Sequence, residues 1–261
     1  MTLKERRNNP LYTSSLLLHG NGKLLDFDNP ENGERIRYAQ YNVRAVKDCP
    51  FRSVGCESVC YATKGNHVFP SCINSRIRSA ETSKKENFSE MIDYTIRTEK
   101  ESKRYKDNTM LIRVHESGDF YSIQYLRKWV KIWKTTEDVN GLQFALYTKS
   151  FPFFLMLTEE EKEIVNRNIA NGRLSINFSL DDTTSTDQKI AYLECVKAFP
   201  KANTYYCTED VESVKHDNVC DCADCAKCGT CNKGTGKTTV VKIHSATEKD
   251  LKKYRKNINK K

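Results

Sequence analysis

The sequence lacks a long apolar run. Its most apolar stretch, near Phe151 to Leu157, is far shorter than the ~20 residues that a membrane-spanning helix requires. No apolar signal-peptide core follows the charged start at Met1 to Arg7. We therefore expect a cytoplasmic protein with no membrane partner, in a compartment where thiols stay reduced.

Internal repeats and long low-complexity linkers are also missing. Hydrophobic residues nevertheless make up 38% of the 261 positions, and large apolar side chains recur throughout, which excludes wholesale disorder. A chain of this length is sufficient for one large domain or two small ones.

Short strand patterns alternate along most of the chain with longer helical patterns, one of which predicts a helix across 153–170. Strands are predicted near 41–45 and at 110–115, 143–148, 174–180, 203–207 and 238–244. This alternation predicts an α/β fold with a parallel sheet, best described as a partial (β/α) barrel of the TIM-barrel-like kind. A doubly wound sheet is the alternative, and in both architectures ligands bind at the C-terminal ends of the strands.

The predicted organisation has four parts. They are a loop-rich N-terminal segment (1–40), an α/β barrel core (41–206), a cysteine-rich metal-binding insertion (207–237), and a last strand with a basic C-terminal helix (238–261).

Eleven cysteines in a reducing compartment favour metal binding over disulfides. Cys49, Cys56 and Cys60 lie within twelve residues, after the first predicted strand. Three thiolates on a four-iron cluster would leave one iron without a protein ligand, and an open iron can bind a substrate or cofactor. A zinc loop or three buried thiols are the alternatives. Cys72 is a candidate fourth ligand or a packed thiol, and Cys195 is predicted to be a core thiol.

A second cysteine group gives the stronger metal signal. Four cysteines recur at every third position, namely Cys222, Cys225, Cys228 and Cys231. The run is close to that of ferredoxins, and both a four-iron cluster and a zinc site with four thiolates fit it. Which of Cys207, Cys220 and Cys222 completes this site is left open by the spacing.

Polar residues follow the predicted strands. Glu116, Ser117, Gly118 and Asp119 come directly after one strand, and Lys149 ends the next. Two carboxylates around a small Ser-Gly turn suit an ammonium group or a sugar hydroxyl, and a helix cap at Ser117 or Asp119 is the alternative. Several polar strand ends beside a metal loop predict an active-site mouth.

In combination, these motifs resemble the phage and mobile-element family called gene product 88. The residues that carry the resemblance are Cys49-x6-Cys56-x3-Cys60, the run from Arg113 to Phe120, Tyr147-Thr-Lys-Ser150, and the late cysteines before His244. The order of parts is also similar to that of radical S-adenosylmethionine enzymes, which have a three-cysteine loop after the first strand of a partial barrel.

The second similarity implies a four-iron cluster on Cys49, Cys56 and Cys60. It also implies that Ser117, Gly118 and Asp119 lie near the amino group of S-adenosylmethionine. The usual spacing in those enzymes is Cys-x3-Cys-x2-Cys, and Thr63 stands where the last cysteine would be.

The leading prediction is a radical-S-adenosylmethionine-like iron–sulfur enzyme with an unknown substrate and unknown catalytic residues. One alternative is a zinc-binding module for nucleic acid or protein, because the net charge of +9 is concentrated near Leu251 to Lys261. A solvated basic tail explains the same charge. The other alternative is an iron–sulfur redox or sensor protein.

Overall fold

The computed structural model describes residues 1–17, 26–28, 33–220, 230–243 and 246–258. Its strands are β1 (Leu16–Leu17), β2 (Phe27–Asp28), β3 (Arg35–Tyr41), β4 (Thr109–Val114), β5 (Leu142–Thr148), β6 (Leu174–Asp181), β7 (Asn203–Thr208), β8 (Asn218–Cys220) and β9 (Thr238–Lys242). Its α-helices are α1 (Leu3–Arg7), α2 (Val54–Val59), α3 (Pro70–Lys84), α4 (Phe88–Lys100), α5 (Ile123–Thr135), α6 (Phe151–Leu155), α7 (Glu159–Ala170), α8 (Thr186–Ala198) and α9 (Glu248–Ile258).

One sheet joins all nine of these strands in the order β1-β3-β4-β5-β6-β7-β9-β8, with β2 paired to β3. The seven strands from β3 to β8 in this order run parallel, while β1 and β2 are antiparallel to β3. α-Helices connect the successive strands from β3 to β7, as parallel pairing requires. The sheet curls into a half-barrel, which confirms the predicted mixed α/β class and the barrel-like architecture.

Side chains on each core strand alternate between the two faces of the sheet. In β4, Met110, Ile112 and Val114 are buried in the main core, whereas Leu111 and Arg113 face the concave side. The inner face of β6 is polar, with Ser175, Asn177 and Ser179. The half-barrel therefore has an apolar outer face under helices and a polar, aromatic inner face that is available to a ligand.

Helix α5 shows how the outer face is covered. Ser122 is its N-cap and accepts a hydrogen bond from the backbone of Tyr125, so the helix begins just after the β4 turn. Leu126, Trp129 and Trp133 then lie on one face at helical spacing and are fully buried against the sheet. This packing holds the C-terminal end of β4 in place.

Two predicted elements differ from the structure. The first parallel strand is Arg35–Tyr41 and not 41–45, because Asn42 and Val43 turn away to bond with the segment after β4. The predicted helix across 153–170 is two helices, α6 and α7. Thr158 starts the second one through a capping box with Glu161, which interrupts the helical run.

The four-part division of the chain stays a prediction. In the structure, β3 begins before the predicted core boundary at 41, and Cys207 belongs to β7. Positions 221–229 of the predicted cysteine-rich insertion lie outside the described residues. None of the described helices is long and apolar enough to cross a bilayer.

Candidate functional site: a cysteine-lined pocket in the half-barrel

A cavity of about 290 Å³ opens on the concave face of the half-barrel. Strands β3 to β7 all contribute to its wall, and the loops after β3 and β4 close its mouth. Its position at the C-terminal ends of parallel strands is the usual ligand position in such folds. The residues predicted to form an active-site mouth, Glu116 to Asp119 and Lys149, line this cavity, and their catalytic role stays a prediction.

The early cysteine triplet lines this cavity. Helix α2 begins after Ser53, whose hydroxyl oxygen accepts a hydrogen bond of 3.0 Å from the backbone of Cys56. Cys56 therefore lies in the first turn, Cys60 is the C-cap, and Cys49 lies in the loop before the helix. A short helix thus brings three cysteines from one loop to the same cavity.

Burial dominates the electrostatics of these thiols. It raises the pKa of Cys56 to about 11, and the nearby positive charge of Lys149 opposes this effect. Burial also raises the pKa values of Cys49 and Cys60, and the thiolate charges of Cys56 and Cys60 add to the rise in the pKa of Cys49. Because metals bind the thiolate form, metal binding here would release protons.

Within residues 1–17, 26–28, 33–220, 230–243 and 246–258, no group of three His, Cys, Asp or Glu side chains is close enough to hold one metal ion. Three members of the predicted late site, Cys222, Cys225 and Cys228, lie outside the described residues. Cys231 is described and lines the cavity. Its backbone oxygen accepts hydrogen bonds from Ser175 at 2.8 Å and Asn177 at 2.9 Å.

Cys207, a predicted candidate for the late site, lines the same cavity as the early triplet. It lies one residue before the end of β7, opposite Asp181 in the register of the sheet. Burial raises its pKa to about 12, and Cys56 is among the charges that act on it. Cys195 is a buried core thiol, as predicted. Its thiol donates a hydrogen bond to the backbone oxygen of Phe151. Cys72 is half-buried on α3.

The turn after β4 is fastened to the end of β3. The side-chain oxygen of Asn42 accepts hydrogen bonds from the backbone N–H groups of Glu116 and Ser117, at 2.8 and 3.1 Å. The Ser117 hydroxyl donates to the backbone oxygen of Val43 at 2.9 Å. Ser117 therefore holds the turn in place, while Glu116 contributes to the cavity wall.

Asp119 joins the ends of β4 and β5. Its carboxylate accepts hydrogen bonds from the Thr148 hydroxyl at 2.7 Å, from the backbone of Lys149 at 2.8 Å, and from the backbone of Phe120 at 2.7 Å. Burial raises the pKa of Asp119 to about 6, although these hydrogen bonds lower it. Helix α5 is capped by Ser122, so the alternative in which Ser117 or Asp119 caps it is wrong.

Gly118 allows the close approach of this turn to Val43. Its φ is +83°, and a Cβ atom there would lie 2.3 Å from a methyl carbon of Val43. Replacing Gly118 by alanine is expected to lower the free energy of unfolding by roughly 2–3 kcal/mol, from left-handed backbone strain plus overpacking. Urea unfolding of the variant measures this loss.

Gly172 offers a matched control for that substitution. Its φ is +70°, but nothing lies within 4 Å of the Cβ position. Gly172→Ala therefore carries only the backbone strain, on the order of 1 kcal/mol. Equal losses in the two variants would show that the contact with Val43 has no energetic consequence.

Lys149 is buried beneath the cysteine loop. Its ammonium group forms an ion pair of 2.8 Å with Asp181 and donates to the backbone oxygen of Ser179 at 3.1 Å. Asp181 also accepts hydrogen bonds from the hydroxyls of Thr183 and Ser53, the N-cap of α2. The cofactor role predicted for Lys149 stays a prediction, and its observed partner is Asp181.

The C-terminal helix closes one side of the cavity. Tyr254 on α9 is fully buried, lines the cavity and donates to Asp182 at 3.0 Å. Gly55 allows the Tyr254 ring to pack closely against α2, because a Cβ atom at position 55 would lie 2.5 Å from that ring. Part of the basic C-terminal segment thus packs on the cysteine loop.

Sequence reasoning did not assign several residues to the cavity wall, among them Arg113, Asp181, Cys207 and Tyr254. Asp181 and Cys207 stand at the ends of predicted strands, which is the signal that would have found them. Tyr254 was overlooked because its sequence neighbours are lysine and arginine, which predict an exposed segment. Arg113 lies in the predicted strand 110–115, but only the alternation of side chains along this strand indicates that Arg113 faces the cavity.

The fold and the cavity define an α/β half-barrel protein with a ligand pocket at the C-terminal ends of its strands. The chain belongs to the gene product 88 family, whose family model matches residues 15–234. No curated protein and no solved structure matches the chain. The family resemblance is thereby confirmed, and the radical-S-adenosylmethionine arrangement stays a prediction.

Proposed function

We propose that this chain is an iron–sulfur enzyme in which Cys49, Cys56 and Cys60 bind one four-iron cluster. The half-barrel cavity would bind S-adenosylmethionine and a substrate beside it. The observation that carries the proposal is the position of the three thiols, which come from one loop and line a ligand cavity at the C-terminal strand ends. Thiolates are the usual ligands of such clusters.

The chemistry of the donor set suits the group, although the three thiols do not lie close enough together in the structure to hold a single metal ion. Three soft thiol ligands with no fourth cysteine in the loop suit a cluster that keeps one iron open. When bound, such a cluster supplies an electron to a ligand at its open iron. The late cysteine run, whose Cys231 lines the cavity, is assigned to an auxiliary cluster or zinc site.

The residues around the loop have supporting roles in this proposal. The positive charge of Lys149 offsets part of the negative charge that three thiolates bring together. The contacts of Asp181 with Ser53 and Thr183 hold the start of α2 in place. Glu116 presents a carboxylate at the cavity wall that suits the ammonium group of a cofactor. Tyr254 excludes water from the side of the loop.

The test is the metal and sulfide content of the protein after oxygen-free purification. We expect iron and acid-labile sulfide in equal amounts, about four of each per cluster, with a broad absorbance near ~400 nm. Protein that contains zinc alone, or neither iron nor sulfide, would overturn the proposal.

A second candidate is a closed site with four thiolates, serving structure or electron transfer alone. The observation that favours it is Cys207, which lines the same cavity and lies within electrostatic range of Cys56. Four protein ligands would leave no open metal position. This candidate therefore predicts no cofactor cleavage.

The variants Cys56→Ser and Cys207→Ser separate the two candidates. With an open site, we expect Cys56→Ser to lose the early cluster and Cys207→Ser to keep the wild-type iron content. Cys72→Ser is the control, because Cys72 is half-buried outside the cavity wall. Iron analysis and the absorbance spectrum measure the result. An equal loss in Cys56→Ser and Cys207→Ser would favour the closed site.

A further inference from the structure

Arg113 places a positive charge on the inner face of the half-barrel. It lies on β4, where Leu111 and Arg113 face the cavity while Ile112 and Val114 face the helices. Its guanidinium carbon is 4.6 Å from the centre of the Tyr147 ring. Arg113 therefore lies in the wall of the same cavity as the cysteine loop.

In the described part of the chain, no carboxylate forms an ion pair with Arg113, and its buried Nε atom has no hydrogen-bond partner. Glu116 acts on it only at longer range. Gln40, its partner in the register of β3 and β4, has a buried side-chain oxygen that also lacks a partner among these residues. Two neighbouring positions on the inner face thus carry unsatisfied polar atoms.

The other cations of the cavity wall, Arg52 and Lys149, have carboxylate partners. Lys149 forms its ion pair with Asp181 and a hydrogen bond with Ser179. Among the described residues, Arg113 has a stacking contact with Tyr147 and no carboxylate partner, and this contact offsets part of the cost of moving a guanidinium out of water. A purely structural cation in this place would be expected to have a carboxylate or carbonyl partner.

The wall around Arg113 is apolar and aromatic. Tyr38, Leu111 and Ala145 form a buried cluster on the inner face. The rings of Tyr147 and Tyr205 meet edge to face, with their centres 4.9 Å apart. A planar or apolar body suits such a wall, while one anionic group suits the guanidinium.

We propose that Arg113 binds the carboxylate or phosphate of a small organic substrate whose body is aromatic or apolar. A guanidinium offers paired N–H donors to either anion, so the two anions share one recognition chemistry. This inference rests on the proposed function, since it assigns the substrate class of the same cavity.

The test is calorimetric titration of the purified full chain, handled without oxygen, with benzoate, phenyl phosphate and benzamide. We expect at least one of the two anions to bind, and neutral benzamide to bind at least about tenfold more weakly. The comparison of benzoate with phenyl phosphate distinguishes the two anionic groups.

Arg113→Gln is expected to weaken binding of the anion by about tenfold or more, whereas Arg113→Lys keeps the charge and gives a smaller loss. Arg37→Gln is the matched control, because Arg37 lies on β3 and pairs with Asp28 away from the cavity wall. Thermal unfolding checks that each variant is folded.

Failure of both anions to bind would overturn the inference, as would equal binding to wild type and Arg113→Gln. Iron and sulfide are measured on the same sample, so the two proposals fail separately. A cluster without anion binding overturns only the inference about Arg113. Anion binding without a cluster overturns only the iron–sulfur proposal.

Discussion

Replacement of Lys149 by methionine is expected to destabilise the protein by about 3–5 kcal/mol. Lys149 and Asp181 form an ion pair of 2.8 Å, and their side chains are only 9% and 3% exposed. The variant would leave the Asp181 carboxylate buried without its positive partner, and an unpaired buried charge is costly. Chemical unfolding of the variant and the wild type measures the difference.

Two further variants identify the source of this loss. Lys149→Met combined with Asp181→Asn removes both charges, so we expect it to recover a large part of the stability. Lys197→Met breaks an exposed pair with Glu194 and is expected to cost less than about 1 kcal/mol. A loss of the same small size in Lys149→Met would mean that water screens the buried pair.

The second large effect concerns pH and His115. This side chain is 3% exposed and is surrounded by the rings of Phe120, Tyr125 and Trp129, and no charged group of the described residues contacts it. Burial lowers its pKa to about 3, while the unfolded chain has the ordinary value of about 6.5. The folded state therefore resists protonation between these two values.

The direction of the effect follows from proton binding. Between about pH 6.5 and 3 the unfolded state binds a proton at His115 that the folded state does not bind. Stability from this residue is thus complete above pH 6.5 and declines as the pH falls, by about 1.4 kcal/mol per unit. Between pH 6.5 and 4 the loss reaches roughly 3 kcal/mol.

Asp119 changes stability in the opposite direction over part of this range. Burial raises its folded pKa to about 6 from an ordinary value of 3.8, so its contribution declines as the pH rises between those values. The two residues partly cancel in the wild-type curve. The measurement must therefore be a difference between the wild type and a variant of His115.

His115→Asn is the suitable variant. The backbone φ at this position is +66°, a conformation that asparagine tolerates well, and asparagine does not titrate. Urea unfolding at several pH values measures the free energy of unfolding of both proteins. As the pH falls from 6 to 4, the wild type is expected to lose more stability than the variant, by about 1.4 kcal/mol per pH unit, because the variant takes up no proton at this position when it unfolds. Parallel curves for the two proteins would contradict the low pKa of His115.

The strands and the cysteine loop were largely predictable from the sequence. The buried run at Met110 and the polar alternation from Leu174 to Leu180 predicted β4 and β6, because a strand imposes a period of two on its side chains. The helix break at Thr158 was missed, since the capping box interrupts an otherwise continuous helical pattern. The first parallel strand was placed too late because Val43 continues the apolar alternation of Ala39 and Tyr41.

The candidate site was predictable only in part. The turn after β4 and the triplet in the β3 loop were found because both are short segments with distinctive residues. The partners of these residues were not found. Lys149 bonds Asp181, and Ser53 reaches the same carboxylate, although 128 positions separate Ser53 from Asp181.

The sequence by itself determined the α/β class, the order of strands and helices, and the early cysteine triplet, because these depend on neighbours within about ten residues along the chain. Only the tertiary structure decided that Cys207 joins this triplet at the cavity, and that Arg113 faces it without an ion-pair partner among the described residues. The physical reason is the curl and register of the sheet, which bring distant strand ends together. Local periodicity carries no information about that arrangement.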